Sequence, residues 1–217
     1  MKLSELAATV PVHRVEIAEG VLGTNQTVDK MKKVILASLG DQLVRMTAER
    51  LITNVDPNDK EMEASVIYQF VRDRVHYVRD PRGLEYIQTP NYLLKAIEKN
   101  GKAFGDCDDK TVLGLALLKN IGYDVAIRVA GYREPKVYTH VYGLIKLYNQ
   151  WIPFDATPTD KQLGWEHPYK TIKDYPIDPY GYEMGEIVAG EINIGQLVQL
   201  ALGIALGTLL STTLIKR

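Results

Sequence analysis

The chain contains a single cysteine, Cys107, which lies in the stretch 101-GKAFGDCDDK-110 next to Asp106, Asp108 and Asp109. Nearby carboxylates favour the protonated, unreactive form of a thiol. The spacing changes this expectation if a helix begins at Cys107, because Asp106 is then its N-cap and Asp109 its third residue, an Asp variant of the capping box. The Cys107 sulfur then lies at the positive end of the helix. Backbone N–H groups there favour a thiolate and can stabilise an oxyanion formed beside it.

A cysteine nucleophile needs a base, and the usual base is an imidazole. The chain has four histidines, of which His140 begins a predicted strand that is followed by a tight turn and a second strand reaching Asp155. In an antiparallel pair, both residues lie at the end away from the turn, so the Asp155 carboxylate can orient the His140 ring. The pattern predicts a catalytic triad of Cys107, His140 and Asp155.

Two other interpretations of the cysteine segment stay open. A lone cysteine on an apolar helix is also typical of a buried core residue. The three aspartates could instead hold a cation, although no glycine follows at the position that a calcium loop requires and the helical run starts at once. We therefore predict no metal site and no cofactor.

The residues that must position the triad form helices first and an antiparallel sheet second, which predicts the α+β class. The run 111-TVLGLALLKN-120 is apolar on nearly every face and predicts a central, enclosed helix with Cys107 at its N-terminus. Apolar spacing and capping residues predict three further helices: 28–51 after Thr27, a helix from about 62 to 76, and 91–100 between Thr89-Pro90 and Gly101.

Alternating apolar residues predict strands over 125–130, 139–147 and 151–157, the last two joined by a short turn at 148–150. The following residues, 158–182, are dense in Pro, Tyr and Asp and predict an ordered but irregular wrap. The core therefore consists of a helix that carries the cysteine, packed on a sheet that carries the base.

The composition limits the classes of binding partner and site that the chain can have. With 26 Lys and Arg against 27 Asp and Glu, the net charge is −1, so no basic field argues for nucleic acid. One cysteine excludes an internal disulfide and a zinc site made of cysteines alone. The first twenty residues lack the apolar run of a signal peptide, which predicts a cytoplasmic location unless another segment decides otherwise.

The last residues of the sequence indicate a different location. Residues 194–215 carry no charge and are followed by Lys216 and Arg217. Its length suits a membrane span, and Gly203 and Gly207 form a small-xxx-small motif through which copies could pair. The alternative is a helix buried in a protein assembly or against its own domain. The predicted organisation is an N-terminal arm 1–27, a domain 28–182, a linker 183–193 and an apolar helix 194–217.

Three motifs, GDCDD at 105–109, THVY at 139–142 and WIPFDATP at 151–158, together resemble the transglutaminase-like superfamily, which has the papain-like fold of cysteine peptidases. The segment 74–90 resembles the branch of that superfamily common in bacteriophage genomes. The resemblance covers about residues 60–160. It implies that Cys107 is the nucleophile, His140 the general base and acid, and Asp155 the residue that orients the imidazole.

Members of the superfamily often carry a polar or aromatic oxyanion donor before the cysteine, and Gln88 is the candidate here. The alternative is that Gln88 stabilises the loop before the Thr89 cap.

The reaction implied is attack of a thiolate on an amide carbonyl to give a thioester. Water as the acceptor makes a peptidase or amidase acting on a peptide, isopeptide or protein, whereas an amine acceptor makes a transglutaminase. We expect hydrolysis, because the chain lacks the extra domains of the animal cross-linking enzymes. The alternative is a structural protein of a phage virion or membrane complex that keeps the fold.

Overall fold

The structure, a computed structural model, describes residues 12–15, 20–80 and 85–178. The helices of these residues are α1 Gly20–Ala37, α2 Gln42–Ile52, α3 Lys60–Arg74, α4 Pro90–Asn100 and α5 Cys107–Asn120. The strands of the same residues are β1 Val12–Val15, β2 Val75–Tyr77, β3 Glu85–Gln88, β4 Ala103–Gly105, β5 Val125–Gly131, β6 His140–Leu147, β7 Gln150–Phe154 and β8 Thr171–Pro176. Helices together with an antiparallel sheet confirm the predicted α+β class.

Helix α5 is the centre of the fold, and all its residues from Asp108 to Leu118 are buried. The other four helices pack against it, and strands β5 and β6 cover it from the sheet. Close packing requires Gly114, because a Cβ added there would lie 2.3 Å from Cε1 of Phe154 on the hairpin that follows. The predicted enclosed helix that starts at Cys107 is therefore confirmed.

The sheet has the antiparallel order β7-β6-β5-β8. Strands β6 and β7 form the predicted hairpin, and Tyr148 and Asn149 both have positive φ angles in its turn, as a hairpin turn that follows the strand twist requires. Strand β8 lies within 158–182, so the prediction of an irregular wrap was wrong over Thr171–Pro176. These residues pair with the otherwise open edge of β5, which satisfies their backbone groups.

The predicted single helix over 28–51 was also wrong, because a 3₁₀ turn at Ser38–Gly40 divides it into α1 and α2. The Asp41 carboxylate caps α2 by accepting the N–H groups of Leu43 and Val44. Helix α1 begins at Gly20, inside the predicted N-terminal arm. Thr27 is consequently an interior residue of α1, and its hydroxyl donates to the Gly23 carbonyl instead of capping.

Two short strand pairs bring distant parts of the chain to the cysteine. Strand β1 pairs antiparallel with β3, and β2 pairs parallel with β4, which leads directly into Cys107. Helix α4 has its predicted bounds, with Thr89 as N-cap and Gly101 in the left-handed conformation after the last turn. These elements fix the approach of the chain to the N-terminus of α5.

The predicted linker 183–193 and apolar helix 194–217 lie outside the described residues. The domain division, the membrane span and the pairing of copies through Gly203 and Gly207 therefore stay predictions. Within the ranges that the structure describes, no helix has the length and apolar character needed to cross a membrane.

Candidate active site

The N-terminus of α5 has the predicted capping box. The Asp106 carboxylate accepts the Asp108 N–H at 3.2 Å, and Asp109 Oδ2 accepts the Asp106 N–H at 3.4 Å. All three aspartates beside Cys107 are buried. Their carboxylates therefore take part in starting the helix, and Cys107 occupies the first helical position, where the helix dipole favours an anion.

The Asp109 carboxyl is the most perturbed of these groups. Burial, together with the negative charges of Asp106 and Asp80, raises the pKa of Asp109 to about 7, although hydrogen bonds from Gln88 act in the opposite direction. Near neutral pH this carboxyl is therefore partly protonated. Asp109 therefore carries less negative charge beside Cys107 than a fully ionised aspartate would.

Gln88 lies beside the same carboxyl at the end of β3. Its backbone N–H donates to Asp109 Oδ1 at 2.8 Å, and its side-chain Nε2 donates to Asp109 Oδ2 and to the Phe104 carbonyl. Both hydrogens of the amide are directed at protein oxygens in this arrangement. The contacts support the alternative in which Gln88 stabilises the loop, and the oxyanion role stays a prediction.

His140 and Asp155 form the contact that the hairpin register predicts. His140 Nε2 lies 2.8 Å from Asp155 Oδ2, and Asp155 is 5% exposed. The other carboxylate oxygen, Oδ1, accepts the Thr157 N–H at 3.0 Å, and the Tyr68 hydroxyl donates to the Asp155 carbonyl at 3.0 Å. Because both the side chain and the backbone of Asp155 are held, its carboxylate can fix the orientation of the imidazole.

Cys107 and His140 line one cleft of about 530 Å³. Helix α1 supplies one wall through Thr24, Thr27 and Val28, and the rim includes the exposed Tyr77 and Arg79 along with Tyr138. The structure thus brings a thiol, an imidazole and, behind the imidazole, a carboxylate to one solvent-accessible depression. This arrangement has the components of nucleophilic catalysis by a cysteine.

Two side chains that sequence reasoning missed connect the first turns of α5 to both arms of the hairpin. Lys110 Nζ donates to the Ala156 carbonyl at 2.9 Å, and burial lowers the pKa of Lys110 to about 8. The Thr111 hydroxyl lies 2.7 Å from the Cys107 carbonyl oxygen and 3.4 Å from that of Val141. The only signal in the sequence is that Lys110 directly precedes the apolar run of a helix predicted to be enclosed.

The three aspartates beside Cys107 also offer carboxylate oxygens that lie within 4.8 Å of one another, as the alternative cation site requires. The same carboxylates accept backbone N–H groups at the start of α5. Their positions are thus accounted for by helix capping, and the predicted absence of a metal stays a prediction.

Comparison with known families matches residues 45–156, just over half of the chain, to the transglutaminase-like superfamily. The matched range includes Cys107, His140 and Asp155. The chain therefore belongs to the transglutaminase-like superfamily, which confirms that part of the sequence-based prediction.

Similar solved structures include a candidate cysteine protease from Cytophaga hutchinsonii, with 12% identity and a TM-score of 0.40 over 62% of this chain and 51% of that one. Another is a candidate protease from Parabacteroides distasonis, with 11% identity and a TM-score of 0.41 over 59% of this chain and 27% of that one. The chain thus spans about half the length of the first structure and about a quarter of the length of the second. Comparison with curated proteins gives no match. None of these comparisons bears on the bacteriophage branch, which stays a prediction.

Proposed function

We propose that the protein is a thiol-dependent acyl-transfer enzyme that cleaves peptide or isopeptide bonds, with Cys107 as nucleophile, His140 as base and acid, and Asp155 as the orienting carboxylate. The observation that carries this proposal is the 2.8 Å contact between His140 Nε2 and Asp155 Oδ2 at the cleft that Cys107 lines. Membership of the transglutaminase-like superfamily supports the same class of reaction.

The proposed reaction begins with transfer of the Cys107 proton to His140. Because Asp155 engages Nε2, Nδ1 is the ring nitrogen that receives this proton. The thiolate then attacks the amide carbonyl carbon, and the carbonyl oxygen becomes an oxyanion next to the N–H groups at the start of α5. His140 returns its proton to the departing amine, the C–N bond breaks and a thioester remains on Cys107.

The acceptor in the second half of the reaction distinguishes the two candidate outcomes. Water, deprotonated by His140, attacks the thioester, releases a carboxylic acid and restores the thiol. An amine at the same position would instead form a new amide, which is transglutaminase chemistry. We favour water, because it is always present and amide formation requires a bound amine that competes with it.

The test is the pH dependence of Cys107 alkylation by iodoacetamide in the wild type, in His140→Ala and in the control His76→Ala, which removes an exposed histidine on β2. We expect alkylation of the wild type and the control to persist below the ordinary thiol pKa of about 8.5, and His140→Ala to lose it. Equal alkylation of all three proteins would contradict the proposed pair. A thiol reactive only after denaturation would identify Cys107 as a core residue.

The proposed location in a virion or membrane rests on residues 194–217, as does the proposed pairing of copies through Gly203 and Gly207. Deleting 194–217 tests both proposals. We expect the protein that lacks 194–217 to be a monomer that stays in solution without detergent. Sedimentation and light scattering measure this. A full-length protein that is already monomeric without detergent would contradict both.

A further inference from the structure

The imidazole of His140 has an aromatic neighbour on its own strand. The Tyr142 ring lies with its centroid 5.5 Å from that of His140, at an interplanar angle of 30°. Side chains two residues apart on a strand share a face, so this stacking follows directly from the regular geometry of β6. A second ring, that of Tyr132, lies 6.2 Å from His140 at 36°.

Charged groups fix the position of Tyr142. The Tyr142 hydroxyl donates to Glu166 Oε1, and Arg128 Nη1 donates to the same carboxylate oxygen at 2.7 Å. Arg128 also forms two hydrogen bonds of 2.6 Å with Asp174. Arg128 pairs with Tyr142 in the register of β5 and β6 and with Asp174 in that of β5 and β8, so the network crosses three strands.

The network also keeps the Tyr142 phenol protonated. Burial raises the pKa of Tyr142, and the hydrogen bond to Glu166 and its negative charge raise it further, so the phenol keeps its proton. A phenol that donates to a carboxylate has a more electron-rich ring. The face of such a ring attracts a cation, and the attraction is stronger where water is excluded, as it is around the 1% exposed Tyr142.

His140 carries a positive charge only after it has taken a proton. The stacked Tyr142 ring therefore attracts the protonated imidazole more strongly than the neutral one. We propose that Tyr142, held by Glu166 and Arg128, is a positioning residue that stabilises the protonated imidazole of His140 and, through it, the thiolate of Cys107. This inference rests on the proposed function, in which His140 receives the thiol proton. It assigns a role to a partly buried polar network that the triad itself does not use.

Other charges also act on His140 and must stay constant in a test. Asp155 lies on its Nε2 side, and the cleft adds Cys107, Asp106, Asp108 and Arg79. The Tyr142 network adds Arg128 on β5 and Glu166 in the segment before β8, and Tyr132 lies just after β5. Substitution of Tyr142 by an uncharged residue leaves the formal charge of every one of these groups in place. A change in His140 behaviour can then be assigned to the lost ring or hydroxyl.

The experiment compares Tyr142→Phe, which keeps the ring, with Tyr142→Leu, which removes it. We expect alkylation of Cys107 at mildly acidic pH to fall about threefold to tenfold in Tyr142→Leu and about twofold in Tyr142→Phe. Tyr169→Leu, which removes an exposed ring, is the control and should match the wild type. Wild-type alkylation profiles in both folded Tyr142 variants would overturn the inference.

Because Tyr142 is buried, the leucine variant could fail to fold, and Tyr142→Met gives a second measurement. This change fills much of the same space without an aromatic face and leaves every charge in place, so we expect alkylation to fall about threefold to tenfold, as in Tyr142→Leu. A folded Tyr142→Met variant with the wild-type profile would overturn the inference.

A readout independent of catalysis separates this inference from the proposed function. In a Cys107→Ser background, the NMR signals of the His140 ring report its protonation directly. We expect the ring to protonate at lower pH in Tyr142→Leu than in Tyr142→Phe. An inert Cys107 would overturn the proposed function, whereas identical His140 titrations in the two variants would overturn the effect of Tyr142.

Discussion

Asp155 Oδ2 lies 2.8 Å from His140 Nε2, and this contact joins the first residue of β6 to the residue that follows β7. The two residues are separated by a hairpin whose turn lies at the far end of the sheet, so the sheet register sets their approach. The Asp155 carboxylate therefore orients the imidazole through a rigid element.

The first prediction concerns the separate contributions of these two residues to thiol reactivity. At neutral pH we expect His140→Ala to lower the alkylation rate of Cys107 by roughly 10²-fold, because the base is lost, and Asp155→Asn to lower it by about tenfold, because only its orientation is disturbed. Asp160→Asn, which removes an exposed carboxylate, should leave the rate unchanged. An Asp155→Asn rate as low as that of His140→Ala would contradict this division of roles.

The second prediction distinguishes the two roles of Gln88. If its amide holds Asp109 and Phe104, Gln88→Ala should lower the free energy of unfolding by about 1–2 kcal/mol and change turnover only a few-fold. Loss of an oxyanion donor would instead cost about 10²–10³ in kcat. Urea denaturation and kinetics, with the exposed Gln162→Ala as control, measure both quantities. A hundredfold fall in kcat at unchanged stability would establish the oxyanion role.

The third prediction tests the contact between α5 and the hairpin. Gly114→Ala places a Cβ 2.3 Å from Phe154 Cε1, so we expect a loss of about 1–3 kcal/mol in unfolding free energy and slower alkylation, since Phe154 precedes Asp155. Gly40→Ala is the matched control, because its added Cβ meets no atom within 4 Å. Equal thermal stability of the two variants would show that the hairpin moves freely against the helix.

The fourth prediction follows from the raised pKa of Asp109, about 7 in the folded chain against an ordinary value of 3.8. The folded state binds this proton more tightly than the unfolded state, so the stability due to Asp109 is present below about pH 4 and is lost as the pH rises through about 7. Asp109→Asn should flatten this part of the stability profile, and the exposed Asp124→Asn should not. A wild-type slope that persists in Asp109→Asn would contradict the assignment.

The fifth prediction has the opposite sign and concerns Lys110. Its pKa is about 8 in the folded chain against an ordinary value of 10.5, so the unfolded state binds the proton more tightly. The contribution of Lys110 to stability should therefore rise as the pH increases from about 8 to 10.5 and be lost as the pH falls. Urea midpoints for the wild type, Lys110→Met and the exposed control Lys95→Met measure the difference. Identical profiles would show that Lys110 titrates as an exposed lysine.

Local signals in the sequence were sufficient for the elements that carry the site. Helices α4 and α5 were predicted with their caps, because Thr89, Pro90, Gly101 and the aspartates at 106 and 109 act within one turn. The pairing of His140 with Asp155 followed from the hairpin, whose register depends on a short turn. Each of these features is decided by residues close together in the chain.

The features that the sequence did not predict depend on distant residues. Strand β8 forms because β5 offers it an edge, and β1 forms against β3, about seventy residues further along the chain. The break between α1 and α2 was missed because the apolar spacing continues across it, and Asp41 was not recognised as a cap. The Tyr142 network likewise requires Arg128 and Glu166 to meet across the sheet, which no local pattern reveals.

The pairing of β1 with β3 affects where the protein can be shortened. A fragment that begins at Val28, the start of the predicted domain, would discard β1 and the first eight residues of α1, including Thr24 and Thr27 of the cleft wall. It would also expose the edge of β3 beside Gln88, and unpaired strand edges promote self-association. Crystallisation and library design should therefore retain Val12 and the residues that follow it, and affinity tags belong ahead of β1.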